Sequence, residues 1–208
     1  MKVDSILFDL DGTLWDSSQQ VADSWNIVLK RHNIDRELTV QDLMSVMGML
    51  MDDIMVKLFP ELDKDEALQV LEDLCAYENE YVGEVGGVLF PYVEETIKKL
   101  ADNYKLCIVS NCQAGYIEAF FKAHHMEKYF MDYENPGRTG LDKAGNIRLV
   151  VERNGFKNPV YVGDTLGDQK SAKKAGVPFI LAEYGFGEVE EYDGIISSIE
   201  QLPDLLEA

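Results

Sequence analysis

The chain opens on an apolar run, residues 3–8, that breaks at Asp9-Leu10-Asp11-Gly12-Thr13. A short block of strand-forming residues ending abruptly in polar ones predicts a buried strand that runs into a loop. From 17 to 84 the apolar positions recur at helical spacing instead. Val21, Trp25, Val28 and Leu29 share one face of a first helix, and Leu43, Val46 and Met47 mark a second. Met51, Ile54, Met55 and Leu58 mark a third, stopped near Pro60, and Ala67, Val70, Leu71, Leu74 and Cys75 a fourth. No strand is expected in this stretch.

After Gly86-Gly87 the texture changes. Helical patterns over 93–100, 114–123 and 146–153, and a helix ending over 171–175, alternate with strand patterns over 105–109, 129–133, 159–162 and 177–181. A last helix is expected over 199–206. Such alternation calls for a parallel sheet with helices on both faces. The helical block interrupts it after the first strand. The chain therefore divides into an α/β core, 1–15 and 86–208, and an all-helical insert, 16–85.

Composition narrows the class. The 208 residues suffice for one sizeable core with a smaller insert. With 46% apolar and 27% charged residues, the chain has the make-up of a soluble globular protein. It carries no apolar run of about 18 residues, so no membrane span is expected. Met1-Lys2-Val3-Asp4 lacks the features of a secretory signal, and a cytoplasmic location is expected. The net charge of −19 repels nucleic acid and anionic lipid and argues against both as partners. It also repels phosphorylated substrates, so phosphate chemistry here needs a local positive centre, either a metal or a placed lysine. Cys75, Cys107 and Cys112 form no C-x-x-C pair, which argues against a disulfide framework or a zinc site. Cys107 and Cys112 read as packing residues, and His124-His125 as surface.

Ligands of open parallel sheets bind beyond the carboxyl ends of the strands. The first strand ends in Asp9 and Asp11, the second in Ser110-Asn111, and the fourth in Gly163-Asp164 with Asp168 close behind. Side chains alternate along a strand, so Asp9 and Asp11 project to one side. Gly12 permits a sharp turn after them. Carboxylates brought together this way require a proton or a cation between them, and oxygen-liganded Mg2+ suits the set. An EF-hand reading fails for want of its third acid and later glycine. Lys143 sits at the start of a helix. Alone it is a solvated lysine, but beside a carboxylate cluster it could neutralise a phosphate.

In their order and spacing these residues resemble the haloacid dehalogenase superfamily, in its phosphatase branch. Asp9-Leu10-Asp11-Gly12-Thr13, Ser110-Asn111, Lys143, and Gly163-Asp164-Thr165-Leu166-Gly167-Asp168 correspond to its four motifs. The chain is similar to the phosphoglycolate phosphatase and β-phosphoglucomutase group. The resemblance implies a Rossmann-like, doubly wound core with the insert as an α-helical cap. It implies a Mg2+-dependent phosphatase of a small phosphorylated metabolite, working through an aspartyl-phosphate on Asp9. Asp11 would be general acid and base. Asp9, Asp164 and the backbone carbonyl of Asp11 would hold Mg2+. Ser110, Asn111 and Lys143 would hold the phosphoryl group, Asp168 would support the metal site from behind, and Thr13 would brace the loop.

Relatives within the superfamily separate on single residues. A second acid at Asp11 favours phosphoryl transfer over dehalogenation, because a halide needs no proton. The mutases carry a cap histidine and a cap arginine at places held here by Val21 and Met51, which disfavours a phosphoglucomutase-like phosphotransferase. Neither Lys30 nor Lys57 has the context of a Schiff-base lysine. A non-catalytic binding protein on the same fold is disfavoured by four intact motifs. The Met-rich segment 44–51 is expected to pack between cap helices. Asp16-Ser17, at the hinge, is expected to cap a helix. A monomer or homodimer is expected.

Overall fold

A computed structural model describes residues 3–207. Met1 and Lys2, at the start of the expected signal-free terminus, and Ala208, at the end of the expected core segment, lie outside the described residues.

Strand β1 (Ser5–Phe8) is wholly buried. Ile6 and Phe8 join one apolar cluster and Leu7 a second, so the strand is covered on both faces. A two-residue strand, β2 (Trp15–Asp16), leads into four helices: α1 (Ser18–Arg31), α2 (Val40–Met44), α3 (Met51–Leu58) and α4 (Lys64–Val85). Strand β3 (Val88–Leu89) returns antiparallel to β2, Trp15 opposite Leu89. The chain then alternates through α5 (Val93–Ala101), β4 (Lys105–Val109), α6 (Tyr116–His124), β5 (Phe130–Glu134), α7 (Pro136–Thr139), α8 (Lys143–Asn154), β6 (Pro159–Gly163), α9 (Leu166–Ala175), β7 (Phe179–Ala182), β8 (Gly194–Ile196) and α10 (Leu202–Glu207).

The six long-range strands form one parallel sheet in the order β5-β4-β1-β6-β7-β8. This is the α/β, doubly wound architecture expected. The chain first builds outward from β1 through β4 and β5, then crosses back to add β6, β7 and β8 on the other side. The order therefore reverses at β1, and the crevice beyond its carboxyl end is where a ligand site belongs. Phe8 pairs in register with both Ile108 and Val162. That register brings the residues after β1, β4 and β6 together.

The helical block begins and ends on local chemistry. Thr39 and Asp42 form a capping box at the start of α2, and Asp63 accepts from the Asp65 and Glu66 amides to start α4. Gly86, at φ 76°, ends α4. The second expected helix is shorter than its pattern: α2 stops at Met44, and Val46 and Met47 lie in turns before Gly48, at φ 78°. The β2–β3 ribbon, α7 and β8 are additions to the expected elements. None of the helices described is long and apolar enough to cross a membrane.

Candidate active site

Asp9 is the first residue beyond β1, and it is 1% exposed. Lys143, the first residue of α8, reaches it across the sheet: Nζ lies 2.9 Å from Asp9 Oδ1 and 2.6 Å from Asp168 Oδ1. Asp168 is fixed by a capping box at the start of α9. Its Oδ2 accepts from the Thr165 amide at 3.0 Å and the Thr165 hydroxyl at 2.6 Å. Tyr161, on β6, adds a donor to Asp168 Oδ1 at 3.3 Å. Asp164 follows β6 and is fully buried. The Phe186 amide donates to its Oδ2 at 2.8 Å, and the Thr13 hydroxyl reaches its Oδ1 at 3.4 Å. Gly12, at φ 82°, and Gly185 press so close to Asp164 that neither has room for a side chain.

Electrostatics divide these acids into two kinds. Burial raises the pKa of Asp9 to about 7; the Asp168 charge adds to the rise and Lys143 opposes it. Burial, then Asp168 and Asp9, take Asp164 to about 8. Burial works to raise Asp168 too, but the Lys143 ammonium and the Thr165 donors outweigh it and hold that carboxyl below its usual range. For Lys143 burial alone would favour the neutral amine, yet the two carboxylates beside it push its pKa up. A single lysine thus faces three buried aspartates, and Asp9 and Asp164 are left short of positive charge.

Carboxylate oxygens of Asp9, Asp164 and Asp168 lie within 4.8 Å of one another. This donor set fits a hard divalent cation such as Mg2+. The oxygens of Asp168 are already occupied by Lys143, Tyr161 and Thr165, whereas Asp9 and Asp164 retain free lone pairs. Asp9 and Asp164 are therefore the carboxylates free to ligate.

Asp11 sits apart from this cluster. Its Oδ1 accepts from Trp15 Nε1 at 2.9 Å, Ser17 Oγ at 2.7 Å and the Tyr116 hydroxyl at 3.0 Å. Burial raises its pKa, and the three donors work in the opposite direction. Ser17, at the N-cap position of α1, makes no side-chain cap and serves Asp11 instead, while Asp16 accepts from the Ser18 amide at 2.9 Å. Tyr116 was not anticipated from the sequence, where its only signal is a place shortly after Ser110-Asn111.

Asp9, Asp11, Ser110 and Asn111 line a chamber roofed by the helical block. The Asn111 side chain donates to the Gly48 carbonyl at 2.8 Å and ties the roof to the core. Met47, Met49 and Met51 line the roof, so the Met-rich segment faces the chamber as well as packing between helices. Val21 lines it too, and Cys112 is part of its wall. Glu78 is the roof's one carboxyl in the chamber. Burial raises its pKa to about 7, against donors from Trp25 and Gln113. Lys30 and Lys57 point elsewhere: Lys30 is exposed, and Lys57 donates to the Ser45 carbonyl at 2.6 Å. His125 is exposed, as expected, but His124 is half-buried. Its ring packs 5.5 Å from Trp15 and 5.4 Å from Phe120, because the β2–β3 ribbon lays Trp15 against α6.

The fold and this cluster define a class, and the family model described as haloacid dehalogenase-like hydrolase matches residues 6–182. The chain belongs to that family. Among its relatives, the phosphoglycolate phosphatase of Shigella sonnei is 27% identical over 90% of this chain and 84% of its own length. That of Nitrosospira multiformis is 24% identical over 100% and 97%. A haloacid dehalogenase-like hydrolase structure from Streptococcus pneumoniae superposes with a TM-score of 0.84 over 98% of both chains at 20% identity, a likeness of fold.

Proposed function

We propose that this chain is a Mg2+-dependent phosphomonoesterase of a small phosphorylated metabolite, related in chemistry to the phosphoglycolate phosphatases. The observation that carries the reading is the convergence of Asp9, Asp164, Asp168 and Lys143, from three separate segments, beside a chamber whose near wall is Asp11. Residues 1–15 and 86–208 act as the catalytic core and 16–85 as a cap over it.

Asp9 attacks phosphorus in line. A bond forms from its carboxylate oxygen to phosphorus as the ester P–O bond breaks. Asp11 gives its proton to the departing alcohol oxygen, and the ionised Asp11 then takes a proton from the water that cleaves the aspartyl-phosphate. Lys143 keeps Asp9 oriented and, with Ser110 and the backbone amides near Asp11 and Asn111, meets the charge on the phosphoryl oxygens. Thr13 braces the loop through Asp164. Asp9, Asp164 and the Asp11 carbonyl would hold Mg2+, which when bound neutralises and orients the phosphoryl group. The cap excludes bulk water from the reacting atoms.

The test is hydrolysis of 4-nitrophenyl phosphate with Mg2+ and with chelator. Turnover should require the metal, vanish in Asp9→Asn and fall by about 10²–10⁴ in Asp11→Asn. Undiminished turnover by Asp9→Asn ends the reading.

A further inference from the structure

The chamber offers a leaving group acceptors and almost no donors. Its body is apolar, formed by Val21, Leu43, Val46, Met47, Met49 and Ile54. None of the described residues lining it is Lys, Arg or His. Apart from the Ser110 hydroxyl, assigned above to the phosphoryl group, and the Asp11 proton used in the chemistry, the side-chain donors of its walls are engaged. Trp25 Nε1 donates to Glu78 Oε2, and Gln113 Nε2 to Glu78 Oε1 and Asn79 Oδ1, both at 3.1 Å. Asn111 Nδ2 donates to the Gly48 carbonyl, and the Tyr116 hydroxyl to Asp11.

Beyond the reacting carboxylates Asp9 and Asp11, two side-chain acceptors remain. Asn111 Oδ1 is buried without a hydrogen-bond partner. Because Nδ2 must face the Gly48 carbonyl, the amide cannot flip to hide it. Glu78, 4% exposed, receives one donor on each carboxylate oxygen and so keeps lone pairs on both. A buried acceptor left unmatched is costly, and a carboxylate brought in beside an ionised Glu78 would meet like charge with no cation among the lining side chains to offset it.

We infer that the substrate's leaving group is a small alcohol bearing a hydrogen-bond donor and no negative charge, hydroxylated or aminated, recognised by Glu78 and Asn111 Oδ1. This rests on the phosphomonoesterase reading of the same site. It narrows the substrate to hydroxyalkyl or aminoalkyl phosphates and disfavours carboxylated ones such as phosphoglycolate. Glu78 then sets specificity by charge.

The experiment compares four phosphates of similar size: 2-aminoethyl, 2-hydroxyethyl, ethyl and carboxymethyl (phosphoglycolate). With Mg2+, kcat/KM for the first two should exceed that for phosphoglycolate by at least about tenfold. Glu78→Gln should reduce the 2-aminoethyl to ethyl ratio. Phosphoglycolate matching or surpassing 2-hydroxyethyl phosphate overturns the inference, whatever Glu78→Gln does. Calorimetric binding of the same four esters to Asp9→Asn with Mg2+ should give the same order without turnover. Should the wild-type chain hydrolyse none of them, nor 4-nitrophenyl phosphate, the phosphatase reading falls. The binding order still decides the charge preference, and phosphoglycolate binding tightest defeats it.

Discussion

A Cβ placed on Gly12 would fall 2.2 Å from Asp164 Oδ2, so the loop after β1 closes directly onto the acid that follows β6. Gly12 also sits at φ 82°, where an L side chain is strained. Gly12→Ala should therefore cost more than conformational strain. Gly155, at φ 69° with nothing within 4 Å of its Cβ position, is the control. Gly155→Ala should cost about 1 kcal/mol, and Gly12→Ala at least about 2 kcal/mol. Denaturant unfolding of the two variants measures the difference. Equal losses would show that Asp164 yields freely.

Lys143 holds two buried carboxylates at once, and its removal leaves both without their cation. Lys143→Met should destabilise the metal-free protein by about 3–5 kcal/mol, the usual result of breaking a buried pair from one side. Adding Asp168→Asn removes one orphaned charge and should return part of the stability but none of the phosphatase activity. Thermal midpoints of the single and double variants, beside their turnover, separate the two roles.

The strand ends were legible because buried parallel strands are short apolar runs whose polar punctuation falls at one edge. Asp9, Ser110 and Asp164 could thus be brought together before any contact was known. Val46 and Met47 carried helical spacing yet lie in turns, because spacing does not register the interruption that Gly48 makes at positive φ. Strands β2 and β3 are two residues each, too short for a period, and the ribbon they form is what buries His124 against Trp15. The contribution of Tyr116 to Asp11 is likewise tertiary: the two residues meet only because α6 packs against the hinge after β1. Gly185 and Gly187, which crowd Asp164 from a distant loop, show in sequence as no more than a glycine-rich turn.

Metal-free stability should fall as pH rises. Asp9 and Asp164 have folded pKa values of about 7 and about 8, raised above their unfolded range near 4 by burial and then by the Asp168 charge. Between those limits the native state binds more protons than the unfolded chain, so raising pH favours unfolding. Asp168 has the opposite sign: held low by Lys143, it contributes stability that is lost only on acidification below its unfolded range. In chelator the thermal midpoint should therefore decline by several degrees from about pH 5 to pH 8. Added Mg2+ should stabilise more at pH 8 than at pH 5, because it must displace protons at the lower pH. A midpoint flat across this window would show that the two acids are ionised without a cation.

Tyr116 should act on the chemistry only through Asp11. Its hydroxyl donates to Asp11 Oδ1 at 3.0 Å and shares a 2.7 Å hydrogen bond with Ser17. The ring also packs against Trp15, 5.7 Å between centroids, so Tyr116→Phe keeps the packing and removes one donor. Donors to the ionised carboxylate lower its pKa; losing this one lets burial raise Asp11 further. Hydrolysis of the aspartyl-phosphate needs Asp11 ionised to accept a proton from water. The acid limb of the kcat profile should accordingly move to higher pH, with kcat at neutral pH reduced by roughly tenfold and KM little changed. A purely structural role for Tyr116 would lower activity evenly across pH and leave that limb in place.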